Sequence, residues 1–183
     1  MRRLALLAAW LALSGPASAK DVVAVDAAIR FADRTLMDTD RRPVRFRRDA
    51  VGSGPAVISF TFTGCRALCP ASDLVMNALE ALLAAKKRRE VRLVTLTIDP
   101  GSDTPDKLAA YATQVDSGPR RLWLTGDLGE MGEVLDGLGM PAGSLDAHEF
   151  FFVVVGADGR RSRRVPGERI GAEGLLGEVD RLR

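Results

Sequence analysis

Residues 56–62 (AVISFTF), rich in β-branched and aromatic side chains, have the composition of a strand buried in the middle of a sheet. Residues 91–98 (VRLVTLTI) and 149–155 (EFFFVVV) share that character. Strands covered on both faces need helices on both sides of the sheet, and the segments between them supply these. Pro70-Ala71-Ser72-Asp73 starts a helix carrying Leu74, Val75, Leu79, Leu82 and Leu83. It ends at the cations of 86–89, where positive charge meets the negative end of the helix dipole. Thr104-Pro105 has the N-cap and first-turn chemistry of a helix reaching about Gln114, and residues 127–138 and 173–182 complete the helical set. Shorter strands are expected at 44–46, 121–124 and 162–165, the last reached through the hairpin turn Ala157-Asp158-Gly159-Arg160. Residues 21–32 read as a short helix or an ordered lead-in. The order ββαβαβαββα predicts an α/β three-layer sandwich, a mixed central sheet flanked by helices.

The first residues follow another logic. Met1-Arg2-Arg3 precedes an apolar run over 4–13 and then Ser14-Gly15-Pro16-Ala17-Ser18-Ala19. A basic start, a short apolar stretch and a small-x-small end are the parts of a secretory signal peptide. The run is shorter than the roughly 20 residues that a membrane span needs. Cleavage is therefore expected after Ala19, giving a periplasmic protein with no membrane span; an uncleaved anchor is the alternative. The expected organisation is a signal peptide over 1–19, a lead-in over 20–37 and one folded domain over 38–183. The 183-residue chain has 26 Lys and Arg against 24 Asp and Glu, and the leader holds two Arg and no acid, so 24 of each sign remain beyond it. Net neutrality gives no electrostatic ground for nucleic acid or anionic lipid as a partner.

Residue counts narrow the chemistry further. With Cys65, Cys69 and His148 as the only cysteines and histidine, two-histidine zinc sites are impossible. No GxSxG elbow, Walker loop or GxGxxG fingerprint is present. Thiol chemistry or thiolate–imidazole metal binding remains. The two cysteines are spaced i, i+4 where the first buried strand meets its helix. In the first turn of that helix their Cα atoms would lie roughly 6 Å apart, within disulfide range. A helix N-terminus and the intervening Arg66 both favour the thiolate, which is the nucleophile of disulfide exchange and the soft ligand that monovalent copper prefers. Three readings stay open at this point: a structural disulfide, a redox dithiol and a metal site.

His148 immediately precedes the EFFFVVV strand. In a thioredoxin arrangement the loop before that strand faces the dithiol, so an imidazole there would complete a two-sulfur, one-nitrogen set. With FTFTGCRALCP, LVTLTIDPGSDTP and DAHEFFFVVVGADG in that order, the chain resembles the Sco/SenC family of thioredoxin-like copper chaperones, from about Asp38 to the C-terminus. The resemblance implies a thioredoxin-like fold and copper, Cu(I) or Cu(II), held by Cys65, Cys69 and His148. It also implies a redox disulfide between the two cysteines, and Asp99 shaping the site or its partner face. The partner it implies is a copper-receiving client such as a respiratory oxidase subunit; a monomer is expected. Family members often carry a proline and an acidic residue between the cysteines, whereas this chain has Arg66-Ala67-Leu68.

Two rival functions belong to other classes. One is a thioredoxin-like oxidoreductase that keeps client cysteines reduced, although the place of the usual proline before the facing strand is taken by Ala147-His148. The other is a non-catalytic binding protein with a structural bridge. Smaller signals have plainer readings: the cations of 86–89 and 160–164 as solvated helix end and hairpin face, and Met37, Met76, Met131 and Met140 as core filling.

Overall fold

The computed structural model of the chain describes residues 29–66, 68–140, 145, 149–157, 159 and 161–182. Seven strands form one mixed sheet: β1 (Thr35–Asp38), β2 (Pro43–Arg45), β3 (Ala56–Thr61), β4 (Arg92–Thr97), β5 (Arg121–Thr125), β6 (Phe151–Val155) and β7 (Ser162–Pro166). Their spatial order is β2-β1-β5-β4-β3-β6-β7. Strands β3, β4 and β5 are parallel, with Ala56 opposite Arg92 and Leu93 opposite Arg121. β1 and β6 run antiparallel to them on either side. Four helices connect the strands: α1 (Leu68–Ala85), α2 (Pro105–Gln114), α3 (Leu128–Leu138) and α4 (Ala172–Arg181).

Alternation along each central strand sends side chains to two cores. Ala56, Ile58 and Phe60 of β3 join Val94, Leu96 and Leu124 beneath α3. Val57 and Leu93 instead join Met76, Leu79, Leu83, Phe152 and Val179 beneath α1 and α4. The expected sandwich is therefore present, with every central strand buried on both faces.

The differences from the sequence reading are local. Thr35–Asp38 is a strand with no run of its own to announce it; only Leu36 and Asp38 are buried, and its register is set by pairing with β2 and β5. Residues 46–51 form a π-helical segment that buries Phe46, Ala50 and Val51. Residues 29–34 are not helical, and 21–28 lie outside the described residues. α1 begins at Leu68 rather than Pro70, so the proline sits within the first turn, where its missing N–H has no intrahelical role. Thr104 caps α2 by accepting from the Lys107 N–H, and Gly139, with φ 76°, stops α3. Met76, Met131 and Met140 are buried, but Met37 is exposed on β1. Among the described residues only α1 is long and apolar enough to cross a membrane; its Cys69, Asp73, Met76, Leu79, Glu80 and Leu83 face is buried in the fold.

A polar seam crosses the interior on the α1 and α2 side. The Arg121 side chain has no exposed surface and pairs with Asp73, 2.5 Å away. Its Nε donates to Thr95 Oγ1 (2.7 Å), which lies 2.8 Å from Ser59 Oγ. The guanidinium carbon stands 4.1 Å from the Trp123 ring centre. Tyr111 donates its hydroxyl to Asp73 Oδ2 (2.8 Å). Removing Asp73 would leave a buried cation unmatched, so Asp73→Ala should cost about 3–5 kcal/mol in chemical denaturation. The paired replacement Asp73→Leu with Arg121→Met should cost much less.

Burial, together with the hydrogen bond to Asp73, pushes the Tyr111 phenol up to about 12 from 10.0. The folded protein therefore retains a proton that the unfolded chain loses, and stability falls as pH rises through that window. Tyr111 is the only tyrosine, so phenolate absorbance reads it directly. It should titrate near 12 in the native protein and near 10 in denaturant, and Tyr111→Phe should flatten the alkaline loss of stability.

Candidate functional site

At the end of β3 the backbone leaves the sheet through Phe62 and a turn at 63–64, then delivers Cys65, whose N–H donates to Phe62 O (3.0 Å). Cys69 lies in the first turn of α1. The two sulfurs are joined in a disulfide with Cα atoms 5.8 Å apart, and the Cys69 N–H is directed at Cys65 Sγ (3.2 Å). The pair is buried, Cys65 at 8% exposure and Cys69 at 2%. Arg66 and Leu68, between them in sequence, are exposed, and Leu74 on the outer face of α1 is 71% exposed. A disulfide-bonded pair thus lies buried next to the exposed Arg66 and Leu68.

The turn is held by Asp103, which the sequence reading carried inside the GSDTP motif without giving it a role. This carboxylate is 1% exposed. It accepts from Thr63 N–H (3.1 Å), Thr63 Oγ1 (2.5 Å) and Thr97 Oγ1 (2.5 Å), while its backbone oxygen accepts from Thr125 Oγ1 (2.7 Å). One acid thereby ties the cysteine turn to the ends of β4 and β5. The signal available in sequence was an Asp before Thr-Pro at a helix start, which reads first as capping. Asp99 sits four residues earlier and is half-buried. Its N–H donates to Thr97 Oγ1 (3.0 Å), and its carbonyl accepts from Ser102 and Asp103 N–H (3.1 and 2.9 Å). Its backbone shapes the turn that presents Asp103.

His148 lies outside the described residues, as do Asp146 and Ala147. The residues that follow it are described. Glu149, Phe150 and Phe151 line a small crevice together with Cys69, Phe60, Leu68 and Ser72. Arg164 of β7 fixes this segment: it pairs with Glu149, and its guanidinium carbon lies 3.9 Å from the Phe151 ring centre. Arg163 pairs with Glu178 of α4. These two arginines of the hairpin cluster thus make intramolecular contacts. Among the described residues no group of three or more His, Cys, Asp or Glu is arranged to hold a metal ion.

A helix-covered mixed sheet with a cysteine pair where a central strand meets a helix defines a thioredoxin-like protein. Within that class the chain belongs to the SCO1/SenC family, which it matches over residues 30–182. A Stutzerimonas stutzeri protein named for copper binding is 30% identical over 106 residues, covering 58% of this chain and 50% of that protein. The chain spans about half the length of the curated relatives it matches. Yeast Sco1 with copper bound superposes with a TM-score of 0.70 at 18% identity, covering 86% of this chain and 93% of that one. A SCO1/SenC family lipoprotein from Bacillus anthracis gives 0.71 at 19% identity, covering 86% and 96%.

Replacing Asp103 by Ala would strand the Thr63 N–H and two hydroxyls, at about 1–3 kcal/mol for each group left unmatched. Asp103→Ala should lower the denaturation midpoint and speed reduction of the Cys65–Cys69 bridge by an added dithiol. Thr125→Val, which spares the carboxylate, should leave that reduction rate near wild type.

Proposed function

We propose that this protein is an exported copper metallochaperone in which Cys65, Cys69 and His148 hold the metal. The observation that carries the reading is the position of the cysteine pair at the start of α1, with the residues directly after His148 lining the crevice beside Cys69. Copper is cargo here. Two electrons and two protons from an external dithiol convert the disulfide to two thiols. These lose their protons on binding Cu(I), the soft ion that thiolates favour. Reoxidation to the disulfide returns two electrons to an oxidant and removes both sulfur ligands, so redox state gates loading and release. The imidazole of His148 adds a nitrogen ligand that suits Cu(II) as well. Asp99 shapes the partner-facing turn, and the exposed Arg66 and Leu68 flank the exit to a client such as an oxidase subunit. Residues 1–19 direct export to the periplasm.

A thiol–disulfide oxidoreductase is the second reading, favoured by the closed bridge and by a cation rather than a carboxylate between the cysteines. Competition with a chromophoric Cu(I) chelator separates the two. The reduced protein should take up one Cu(I) tightly, and Cys65→Ser or Cys69→Ser should abolish uptake. His148→Ala should weaken Cu(II) binding more than Cu(I) binding. Unchanged Cu(II) affinity in that variant would remove His148 from the ligand set. Failure of the reduced protein to compete for Cu(I) at all would leave the oxidoreductase.

A further inference from the structure

The end of the sheet opposite the cysteines carries an unassigned concentration of positive charge. β4 spans six residues, roughly 20 Å, and separates that end from the turn held by Asp103. There, where β4 and β5 begin, a cleft of about 300 Å³ is lined by Arg89, Arg92 and Arg120 over Ala50, Val91 and Leu122. Arg92 and Arg120 are anchored by backbone oxygens rather than carboxylates. Arg92 Nη1 donates to Val51 O (2.7 Å), and its guanidinium crosses the space that a Cβ on Gly52 would fill, 1.2 Å from that point. Arg120 Nη2 donates to Arg88 O (3.1 Å) and Val91 O (3.0 Å). A carbonyl orients a guanidinium without cancelling its charge, and each of these arginines keeps further N–H groups unused. Arg89 is exposed and has no carboxylate partner.

Of the acids nearby, the buried Glu80 accepts from the Arg120 backbone N–H (2.8 Å), and Asp49 and Glu90 pair with other arginines. Asp49, which also lines the cleft, is held by the Arg48 guanidinium and the Arg45 N–H, which keep its carboxyl below the usual range. Glu90 pairs with Arg88, which also holds Asp180. Lys86 and Lys87, exposed just upstream of Arg89, raise the local potential further. Overall neutrality thus conceals three arginines lining one cleft, with no carboxylate ion-paired to their guanidinium groups.

We propose that the cleft lined by Arg89, Arg92 and Arg120 binds a phosphate-type oxyanion. Planar guanidinium forks match tetrahedral oxyanions in geometry as well as in charge, and two of the three are pre-oriented by the backbone before any ligand arrives. The site lies away from the cysteines, so it stands whether or not copper is the cargo.

The test is calorimetric titration of the full chain with inorganic phosphate at fixed ionic strength. Saturable one-to-one binding is expected. Arg89→Glu should weaken it by about tenfold or more, the loss of a charge-assisted contact, with an unchanged melting temperature. Lys107→Glu alters net charge equally at a remote helix and should change affinity by no more than about twofold at screened distances. Equal weakening by both reversals, or non-saturable binding, would overturn the site unless the lipid arm restores it. In that arm, vesicles of phosphatidylcholine with and without phosphatidylglycerol are pelleted with wild type and Arg89→Glu. Capture that needs both phosphatidylglycerol and Arg89 assigns the oxyanion to a lipid headgroup. Phosphate binding without such capture assigns it to a soluble phosphate, and neither response overturns the proposal.

Discussion

A guanidinium with no exposed surface tolerates few arrangements of the elements around it, because each donor that water no longer reaches must meet an acceptor. Arg121 meets this demand by drawing on Thr95 of the adjacent strand, Asp73 and Asn77 of α1, and the face of Trp123 on its own strand. Tyr111 of α2 closes the set through Asp73. Two strands and two helices are thus fixed relative to one another by charge as well as by packing. Apolar contacts alone would let α1 slide along the sheet at modest cost, whereas a shift here breaks several bonds together. Since Asp73 lies one helical turn from Cys69 on the same buried face, the seam also fixes the height at which that cysteine meets the surface.

The sandwich was legible wherever burial on both faces wrote itself into composition. AVISFTF, VRLVTLTI and EFFFVVV each became a strand within a residue or two of expectation. β1 was not legible, because TLMD has two inward side chains and takes its strand geometry from partners far away in sequence. The π-helical segment at 46–51 was hidden for the same reason: FRRDAV shows no period, and its shape follows from burying Phe46 and Val51 together. Of the candidate site, the cysteine pair was legible from spacing and position. Asp103 was not, since its burial and its donors, two on Thr63 and one on Thr97, come from segments that only the fold assembles. Arg121 likewise read as the polar start of a short strand, where sequence offers no hint of the Asp73 carboxylate on the buried face of α1.

The molecule is also electrically uneven in a way that its net charge conceals. At the cysteine end, Arg164 and Glu149 neutralise each other beside Cys69, leaving Arg66 as the exposed cation nearest the pair in sequence. At the opposite end, arginines are braced by carbonyl oxygens while Asp49 and Glu90 pair with other arginines. Bracing by carbonyls orients charge without cancelling it, so two chains of identical composition can present very different potentials.

The two cysteines stand on unlike supports. Cys69 belongs to a regular helix whose buried face carries Asp73, Met76 and Leu83. Cys65 belongs to a turn held by one backbone bond and, two residues away, by the Asp103 carboxylate. In mechanical terms the pair is a vice with one jaw cast into the frame and the other bolted on through a single distant carboxylate. The regular helix holds Cys69 by its own backbone, whereas the place of Cys65 depends on Asp103, a carboxylate thirty-eight residues further along the chain.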